Sequence, residues 1–392
     1  MSRTLTVVDA GRPEEVFVAL RDALTGVGPA VVPRAGGPGA AGAGDAGVRW
    51  PRRGETVAQN VALVIETSGS TGVPKRVALS TDALLASAAA SAGAMGGQGQ
   101  WLLALPAHYV AGAQVLVRSL AAETEPVFYG DGRFDAERFA AAAGELSHDL
   151  RYTSLVPVQL ARLVESAEGG SRTVAAALRR FDGILVGGQA LMPELRERSE
   201  ALGAPVIATY GSSETAGGCV YDGMPIGTTV VREIDGMLEI GGPTLAEGYI
   251  DDPERTAAAF REDAGTRWYR TGDLGAVSAE GRVTVFGRSD NVIISGGEKV
   301  LLDAVERAVQ GIPGFGHAVV VATEDRRWGE VPVVVIEGEA SLSLEAVRER
   351  VAEALGRAAA PAGIVEVRRL PRLASGKPDR VALAALVRER EA

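Results

Sequence analysis

The fold is decided by the stretch VALVIETSGSTGVPK, which runs from Val61 to Lys75. Residues 61–65 are apolar and predict a buried β-strand. Glycine and hydroxyl residues follow, and the stretch closes on a proline and a lysine. Glycines let the backbone approach a ligand closely, and successive N–H groups can surround phosphate oxygens. A Walker A loop would need Ser or Thr after the lysine. Arg76 stands there, so the stretch predicts a phosphate-binding loop of another class.

Apolar runs alternate with helical patterns after this loop. Strands are predicted at 101–105, 127–129, 153–156, 184–186 and 206–209, and helices at 82–94, 110–120, 138–146, 157–166 and 193–202. This alternation predicts an α/β domain with largely parallel sheets. After about residue 220 short strands and glycine turns predict a β-rich subdomain. We expect a large N-terminal domain at 1–287 and a small α+β C-terminal domain at 288–392.

Composition excludes several classes of protein. The 392 residues carry a net charge of −10 and no basic tract, which argues against general nucleic-acid binding. No run of 18 apolar residues occurs, so no membrane span is expected. One cysteine, Cys219, fits a reducing cytoplasm and is expected to be buried and inert. The Gly/Ala-rich stretch from Arg34 to Gly47 predicts a mobile surface loop.

Lysine is rare in this chain. Only Lys75, Lys299 and Lys377 accompany the arginines among the 40 basic residues. Compositional bias explains the rarity. A compact ammonium on a flexible stem is not interchangeable with the planar guanidinium. The surviving lysines are therefore candidates for specific roles, and Lys299 is expected at the surface or at a CoA phosphate.

Four further motifs follow the phosphate loop. They read ATYGSSET at 208–215, WYRTGDLG at 268–275, GRSDNVIISGGEK at 287–299 and LASGKP at 373–378. A tyrosine beyond a parallel strand can stack on a base, and a nearby glutamate can hold Mg²⁺ beside phosphates. An aspartate on a tight turn can accept ribose hydroxyls. Each motif alone is weak, because a solvated turn explains it equally well.

Together, in this order and spacing, the five motifs resemble the adenylate-forming superfamily, which includes acyl-CoA synthetases. The resemblance covers residues 60–380 and implies a mobile C-terminal domain. It implies ATP, Mg²⁺ and coenzyme A as cofactors and a small carboxylic acid as substrate. Within the superfamily, the compact length and the segment around His108 are most similar to the o-succinylbenzoate–CoA ligase family of menaquinone biosynthesis.

The resemblance implies an ATP site in the N-terminal domain. The β- and γ-phosphates would be held by Thr67, Ser68, Gly69, Ser70, Thr71, Gly72 and Lys75. The adenine would lie against Tyr210 and Gly211 and the loop Gly187, Gly188 and Gln189. Glu214 would bind Mg²⁺, and Thr215 would lie at the α-phosphate. His108 would flank the acyl pocket as a gate or a substrate contact.

The resemblance also implies roles near and beyond the domain boundary. Asp273 and Arg288 would bind the ribose hydroxyls, and Asp290 would be the hinge. Lys377 would be the catalytic lysine of the mobile domain. The loop Ser295, Gly296 and Gly297 would line the pantetheine tunnel of CoA.

Two alternatives stay open at this point. The chain could be a CoA ligase or a stand-alone adenylating enzyme for another aryl acid. It could also be a non-catalytic nucleotide-binding homologue, although Glu214, Asp273, Arg288 and Lys377 are all present. Pyrophosphate release with a panel of aryl acids separates these readings.

Overall fold

The computed structural model describes residues 2–36, 51, 54–67, 75–130, 132–372 and 378–391. The chain divides into two compact units. The larger unit comprises Met1–Arg232, Glu239–Arg270 and Ser278–Val283. The smaller unit comprises Glu233–Leu238, Thr271–Val277 and Thr284–Ala392. Among the described residues, none of the helices has the length and apolar character that crossing a membrane requires.

The strands and helices follow the chain in this order. The strands are β1 (Ser2–Asp9), β2 (Ala30–Arg34), β3 (Thr56–Ala58), β4 (Val61–Thr67), β5 (Lys75–Ser80), β6 (Gln100–Leu103), β7 (Val127–Phe128), β8 (Arg151–Leu155), β9 (Gly183–Val186), β10 (Val206–Ser212), β11 (Gly217–Tyr221), β12 (Met224–Pro225), β13 (Val230–Ile234), β14 (Met237–Gly241), β15 (Gly248–Tyr249), β16 (Phe260–Asp263), β17 (Thr266–Val277), β18 (Val283–Arg288), β19 (Val292–Ser295), β20 (Glu298–Leu301), β21 (Val319–Asp325), β22 (Gly329–Glu337) and β23 (Gly363–Val367). The helices are α1 (Pro13–Leu24), α2 (Thr81–Ala94), α3 (Val110–Ala121), α4 (Ala136–Gly144), α5 (Pro157–Glu168), α6 (Arg172–Arg180), α7 (Pro193–Ala201), α8 (Pro253–Ala259), α9 (Leu302–Gln310), α10 (Leu344–Leu355) and α11 (Arg380–Glu391).

A seven-stranded sheet dominates the larger unit, in the order β12-β11-β10-β9-β8-β6-β7. The strands from β10 to β7 run parallel, as the alternating sequence pattern predicts. Their carboxyl ends therefore lie at one edge, where ligands of α/β proteins bind. On one face an apolar core that includes Phe139, Leu160 and Leu178 packs α4, α5 and α6 against the sheet.

A six-stranded sheet forms the other half of the larger unit, in the order β15-β5-β4-β2-β1-β3. It contains the hairpin of β4 and β5, whose strands flank the phosphate-loop motif. Helices α1 and α2 contact this sheet, while α2 and α3 contact the seven-stranded sheet. The alanine-rich α2 is capped by Ser80, whose hydroxyl accepts the N–H of Ala83 at 3.3 Å, as N-cap serines commonly do.

The smaller unit is built on a five-stranded sheet of order β20-β19-β22-β21, with β23 beside β22. Strand β22 alternates its side chains between two cores, as the period of two requires. Val334 and Ile336 pack in the core that includes α9 and α10 residues. Val333 and Val335 pack in the core that includes Leu383 and Val387 of α11. A further sheet, β13-β14-β17-β16 with β18 beside β17, forms the predicted β-rich region.

The α/β class and most predicted elements are confirmed, and their ends differ from the predicted ones by at most three residues. The sequence patterns missed the N-terminal β1, α1 and β2, and also α6. One prediction was wrong: Arg34 does not begin a loop but ends β2, buried, with hydrogen bonds of 2.9 and 2.8 Å to the Glu66 carboxylate. The neighbouring strand β4 supplies this partner, which no local pattern reveals. The remainder of the predicted loop, residues 37–47, lies outside the described residues.

Candidate active site

The β4–β5 hairpin positions the two ends of the phosphate-loop motif. Thr67 and Lys75 are directly opposite each other in the antiparallel register. The predicted phosphate-binding residues between them lie outside the described part of the chain: Ser68, Gly69, Ser70, Thr71 and Gly72. Lys75 is therefore the first residue of β5, in which residues 77–80 are buried.

Lys75 contacts the predicted metal ligand. Its Nζ lies 3.7 Å from Oε1 of Glu214. The same Oε1 accepts the phenol hydrogen of Tyr249 at 2.8 Å, and Nζ lies 5.3 Å from the centre of the Tyr249 ring. The Glu214 side chain is 7% exposed and that of Lys75 is 27% exposed. We call Lys75, Glu214 and Tyr249 the buried charge cluster.

The turn that carries Glu214 is fixed by backbone contacts. A 3-10 turn, Ser213–Thr215, follows β10, and Ala216 then adopts φ of 50°. The carbonyl of Ala216 accepts hydrogen bonds from Ser87 at 2.9 Å and Gln114 at 2.8 Å. Gly211 is required because a Cβ there would lie 2.1 Å from the carbonyl oxygen of Gly217. Helices α2 and α3 thus hold the turn in place.

Thr215 is fully buried in this turn. Its hydroxyl accepts the N–H of Ser212 at 2.9 Å and donates to the carbonyl of Gly217 at 2.7 Å. The described contacts of Thr215 therefore shape the turn, and its role at the α-phosphate stays a prediction.

The predicted adenine residues lie at the carboxyl edge of the parallel strands. Gly187, Gly188 and Gln189 follow β9, and Tyr210 lies near the end of the adjacent β10. A Cβ on Gly187 would lie 2.4 Å from Oγ1 of Thr209, so only glycine allows this approach of the two segments. Tyr210 is half-buried and Gln189 is exposed.

His108 lies in the segment between β6 and α3, also at this edge. Its ring centre is 4.2 Å from that of Tyr109. Burial lowers the pKa of its imidazole, so the ring is neutral at pH 7. Among the described residues its buried Nδ1 has no hydrogen-bond partner. Glycine is required at position 112, because a Cβ there would lie 2.3 Å from the carbonyl oxygen of Pro106.

The smaller unit brings the predicted ribose and hinge residues together. Arg288 donates to Asp273 Oδ1 at 3.3 Å, to the carbonyl of Thr271 at 2.8 Å and to Asp290 at 3.3 Å. The side chains of Asp273, Arg288 and Asp290 are 17%, 42% and 45% exposed. We call these residues the exposed charge cluster.

Sequence reasoning missed Asp303, which anchors the hinge segment. Its carboxylate accepts the Arg288 N–H at 3.2 Å and the Asn291 side chain at 2.9 Å. Gly287 lies so close that a Cβ would meet the Asp303 side chain at 2.5 Å. The signal in the sequence was Gly287, which precedes Arg288, because a glycine can indicate that a side chain approaches the backbone closely.

The predicted CoA loop is the tip of the β19–β20 hairpin. Ser295 is buried, while Gly296 and Gly297 are exposed and adopt φ of 59° and 86°. A Cβ on Gly296 would lie 2.4 Å from the Trp328 ring. Lys299 is exposed on β20, as predicted. The catalytic candidate Lys377 lies outside the described residues.

Cys219 takes no part in a reactive constellation. It is buried in β11, and burial raises the pKa of its thiol to about 12. A protonated, buried thiol is a poor nucleophile, which confirms the predicted inert role.

Comparisons with known proteins agree with the sequence motifs. A family model described as AMP-binding enzyme matches residues 38–257, and the model of the AMP-binding enzyme C-terminal domain matches residues 304–377. A protein of Mycobacterium tuberculosis named "Probable 2-succinylbenzoate–CoA ligase" is 40% identical over 85% of this chain and 86% of its own length. The 2-succinylbenzoate–CoA ligase of Bacillus subtilis is 30% identical over 81% of this chain and 67% of its own.

Solved structures resemble this fold. The o-succinylbenzoate CoA synthetase of Bacillus subtilis, in complex with ATP and a magnesium ion, superposes with a TM-score of 0.71 at 28% identity over 82% of this chain and 70% of that chain. A structure of that enzyme with its acyl-adenylate intermediate gives the same TM-score, covering 82% of this chain and 69% of that chain. The matching models, relatives and folds establish that the chain belongs to the AMP-binding enzyme family, within the adenylate-forming superfamily that its motifs resemble.

Proposed function

We propose that this chain is an AMP-forming acid–CoA ligase that converts o-succinylbenzoate to o-succinylbenzoyl-CoA, a reaction of menaquinone biosynthesis. The observation that carries the chemistry is the contact between Lys75 and Glu214 at the base of the phosphate loop. The substrate follows from the relatives, whose names specify 2-succinylbenzoate. We place the reaction in the cytoplasm.

The first half-reaction joins the acid to AMP. A carboxylate oxygen of the acid attacks the α-phosphorus of ATP, the bond from that phosphorus to the bridging oxygen breaks, and pyrophosphate leaves with the electron pair. Negative charge builds on the phosphoryl oxygens. Lys75 and Lys377 would stabilise this charge, because aimed cationic groups act most strongly in a site that excludes water. Ser68, Gly69, Ser70, Thr71 and Gly72 would hold the β- and γ-phosphates.

Glu214 fits a magnesium ion. Mg²⁺ binds through one or two carboxylates together with substrate phosphates and water. In the described part of the chain, no group of three His, Cys, Asp or Glu side chains could hold a metal, so the ion would be held by Glu214 and ATP. When bound, Mg²⁺ supplies positive charge at the phosphoryl oxygens. Tyr210 and the segment 187–189 would hold the adenine.

The second half-reaction transfers the acyl group to CoA. The sulfur forms a bond to the acyl carbon, the carbon–oxygen bond to AMP breaks, AMP leaves with the electron pair, and the thiol proton passes to water. We assign Asp290 as the hinge between domains 1–287 and 288–392, which moves Lys377 away before this step. Ser295, Gly296 and Gly297 would line the thiol path, and neutral His108 would contact or gate the acyl group.

An acid panel tests the proposal. Purified full-length chain is incubated with ATP, Mg²⁺, CoA and o-succinylbenzoate, benzoate or salicylate, and thioesters are identified by mass. We expect a thioester from o-succinylbenzoate. Thioesters from benzoate or salicylate alone would overturn the substrate. Absence of pyrophosphate with every acid, despite ATP binding, would instead favour a non-catalytic nucleotide-binding protein.

A further inference from the structure

Tyr249 lies at the centre of the buried charge cluster, although no sequence motif pointed to it. It belongs to the two-residue strand β15, which pairs with β5 so that Tyr249 is opposite Val77. Val77 is two residues beyond Lys75 on the same strand, so side chains of Lys75 and Tyr249 can meet. The pairing of two distant segments thus places a phenol beside the lysine of the phosphate loop.

The backbone and the ring of Tyr249 each contact neighbouring residues. The Tyr249 N–H donates to Oγ1 of Thr256 at 2.9 Å, and that hydroxyl donates to the carbonyl of Asp252 at 2.8 Å. The ring centre lies 6.0 Å from that of Phe260. A buried side chain with these contacts has little freedom to turn away. Its hydroxyl therefore stays directed at Glu214.

The two described side chains that contact the Glu214 carboxylate both meet Oε1. The phenol donates at 2.8 Å and the ammonium lies at 3.7 Å. The phenol and the ammonium thus fix the position of one oxygen of the Glu214 carboxylate.

We propose that Tyr249 is a positioning residue that fixes the Glu214 carboxylate for Mg²⁺ while its ring supports the Lys75 ammonium. This inference rests on the proposed function and adds a residue to it. Side chains that hydrogen-bond to a metal ligand orient that ligand. Loss of such a side chain typically lowers metal affinity or activity by about 10- to 100-fold. The free enzyme thus holds its acidic and basic groups in place before MgATP enters.

The test is metal binding rather than turnover. Mn²⁺ is titrated into full-length protein with ATP and followed by electron paramagnetic resonance, for the wild type and for Tyr249→Phe. We expect the variant to bind Mn²⁺ in the ATP complex about 10- to 100-fold more weakly. Wild-type affinity in Tyr249→Phe would overturn the inference.

Tyr152→Phe is the matched control. The Tyr152 hydroxyl is also buried and donates to the carbonyls of Met95 at 3.0 Å and Gly97 at 3.2 Å, at the amino end of β8. Removing it deletes a buried phenol without touching Glu214, so Mn²⁺ binding should stay at the wild-type value. An equal loss in both variants would reduce Tyr249 to a general structural role and overturn the inference.

A double-mutant cycle provides the second readout. If Tyr249 acts through Glu214, Tyr249→Phe should weaken Mn²⁺ binding less than 2-fold further in a Glu214→Gln background, because coupled residues are non-additive. A full additional loss would contradict the inference. If the wild type binds MnATP but makes no acyl-adenylate, the proposed function is wrong while the role of Tyr249 in metal binding is unaffected. The failure of one proposal can thus be told from the failure of the other.

Discussion

The buried and exposed charge clusters contain similar contacts in different surroundings. The Lys75 and Glu214 side chains meet at 3.7 Å and are 27% and 7% exposed, while those of Arg288 and Asp273 meet at 3.3 Å and are 42% and 17% exposed. The more exposed an ion pair is, the more it is screened and the less free energy it contributes. A buried carboxylate with a fixed donor keeps its position. The buried cluster therefore suits charge stabilisation, which needs preorganised groups, and the exposed cluster suits ribose binding and a hinge.

The largest expected effect concerns Lys377, which belongs to the part that is proposed to move. Lys377→Ala should lower the rate of adenylate formation on the order of 10²–10³-fold, by analogy with the loss of an aimed donor. Reaction of a preformed acyl-adenylate with CoA should proceed at the wild-type rate. Both half-reactions are followed by rapid quench, and an equal loss in both would contradict the two-conformation scheme.

Glu214→Gln tests the buried cluster directly. Gln retains an oxygen that can accept the Tyr249 phenol, so the fold should persist while the metal loses its anionic ligand. We expect adenylate formation to fall at least as much as in Tyr249→Phe, with a raised requirement for free Mg²⁺, measured by pyrophosphate release. Lys75→Ala should also slow this step, whereas the exposed control Lys299→Ala should not, since CoA is absent. A normal Mg²⁺ requirement in Glu214→Gln would show that the carboxylate does not serve the metal.

The exposed cluster should give the smallest effect on stability. Arg288→Ala removes ion pairs worth about 0–1 kcal/mol and a hydrogen bond to the Thr271 carbonyl worth about 1.5 kcal/mol, so the free energy of unfolding in urea should fall by no more than about 2.5 kcal/mol. The KM for ATP should nevertheless rise about 10-fold, as loss of a hydrogen bond to a hydroxyl costs about 1.5 kcal/mol when the donor is charged. A large loss of stability with an unchanged KM for ATP would show that Arg288 serves the fold rather than the ribose. That result would contradict the proposed role of the exposed charge cluster.

The sequence predicted the features that depend on local pattern. Helices α2, α3 and α5 were predicted from the local sequence pattern, and the motifs identified the candidates Lys75, Glu214, Asp273 and Arg288. Their assignment came from the family resemblance, because each motif alone also fits a solvated turn.

The features that the sequence did not predict depend on distant pairing. Tyr249 reaches Glu214 because β15 pairs with β5, and Asp303 reaches Arg288 from the first turn of α9. Arg34 finds Glu66 through the adjacent strands β2 and β4. The partners lie 15, 32 and 35 residues apart on different elements, so local periodicity does not show that they meet.

The most direct test of the central claim is a single-turnover measurement of pyrophosphate from ATP, Mg²⁺ and o-succinylbenzoate without CoA. We expect about one pyrophosphate per enzyme molecule, a bound acyl-adenylate detected by mass, and release of the acyl group as o-succinylbenzoyl-CoA when CoA is added. Pyrophosphate absent in the first phase but formed together with thioester only after CoA addition would contradict the two-step chemistry at the buried charge cluster.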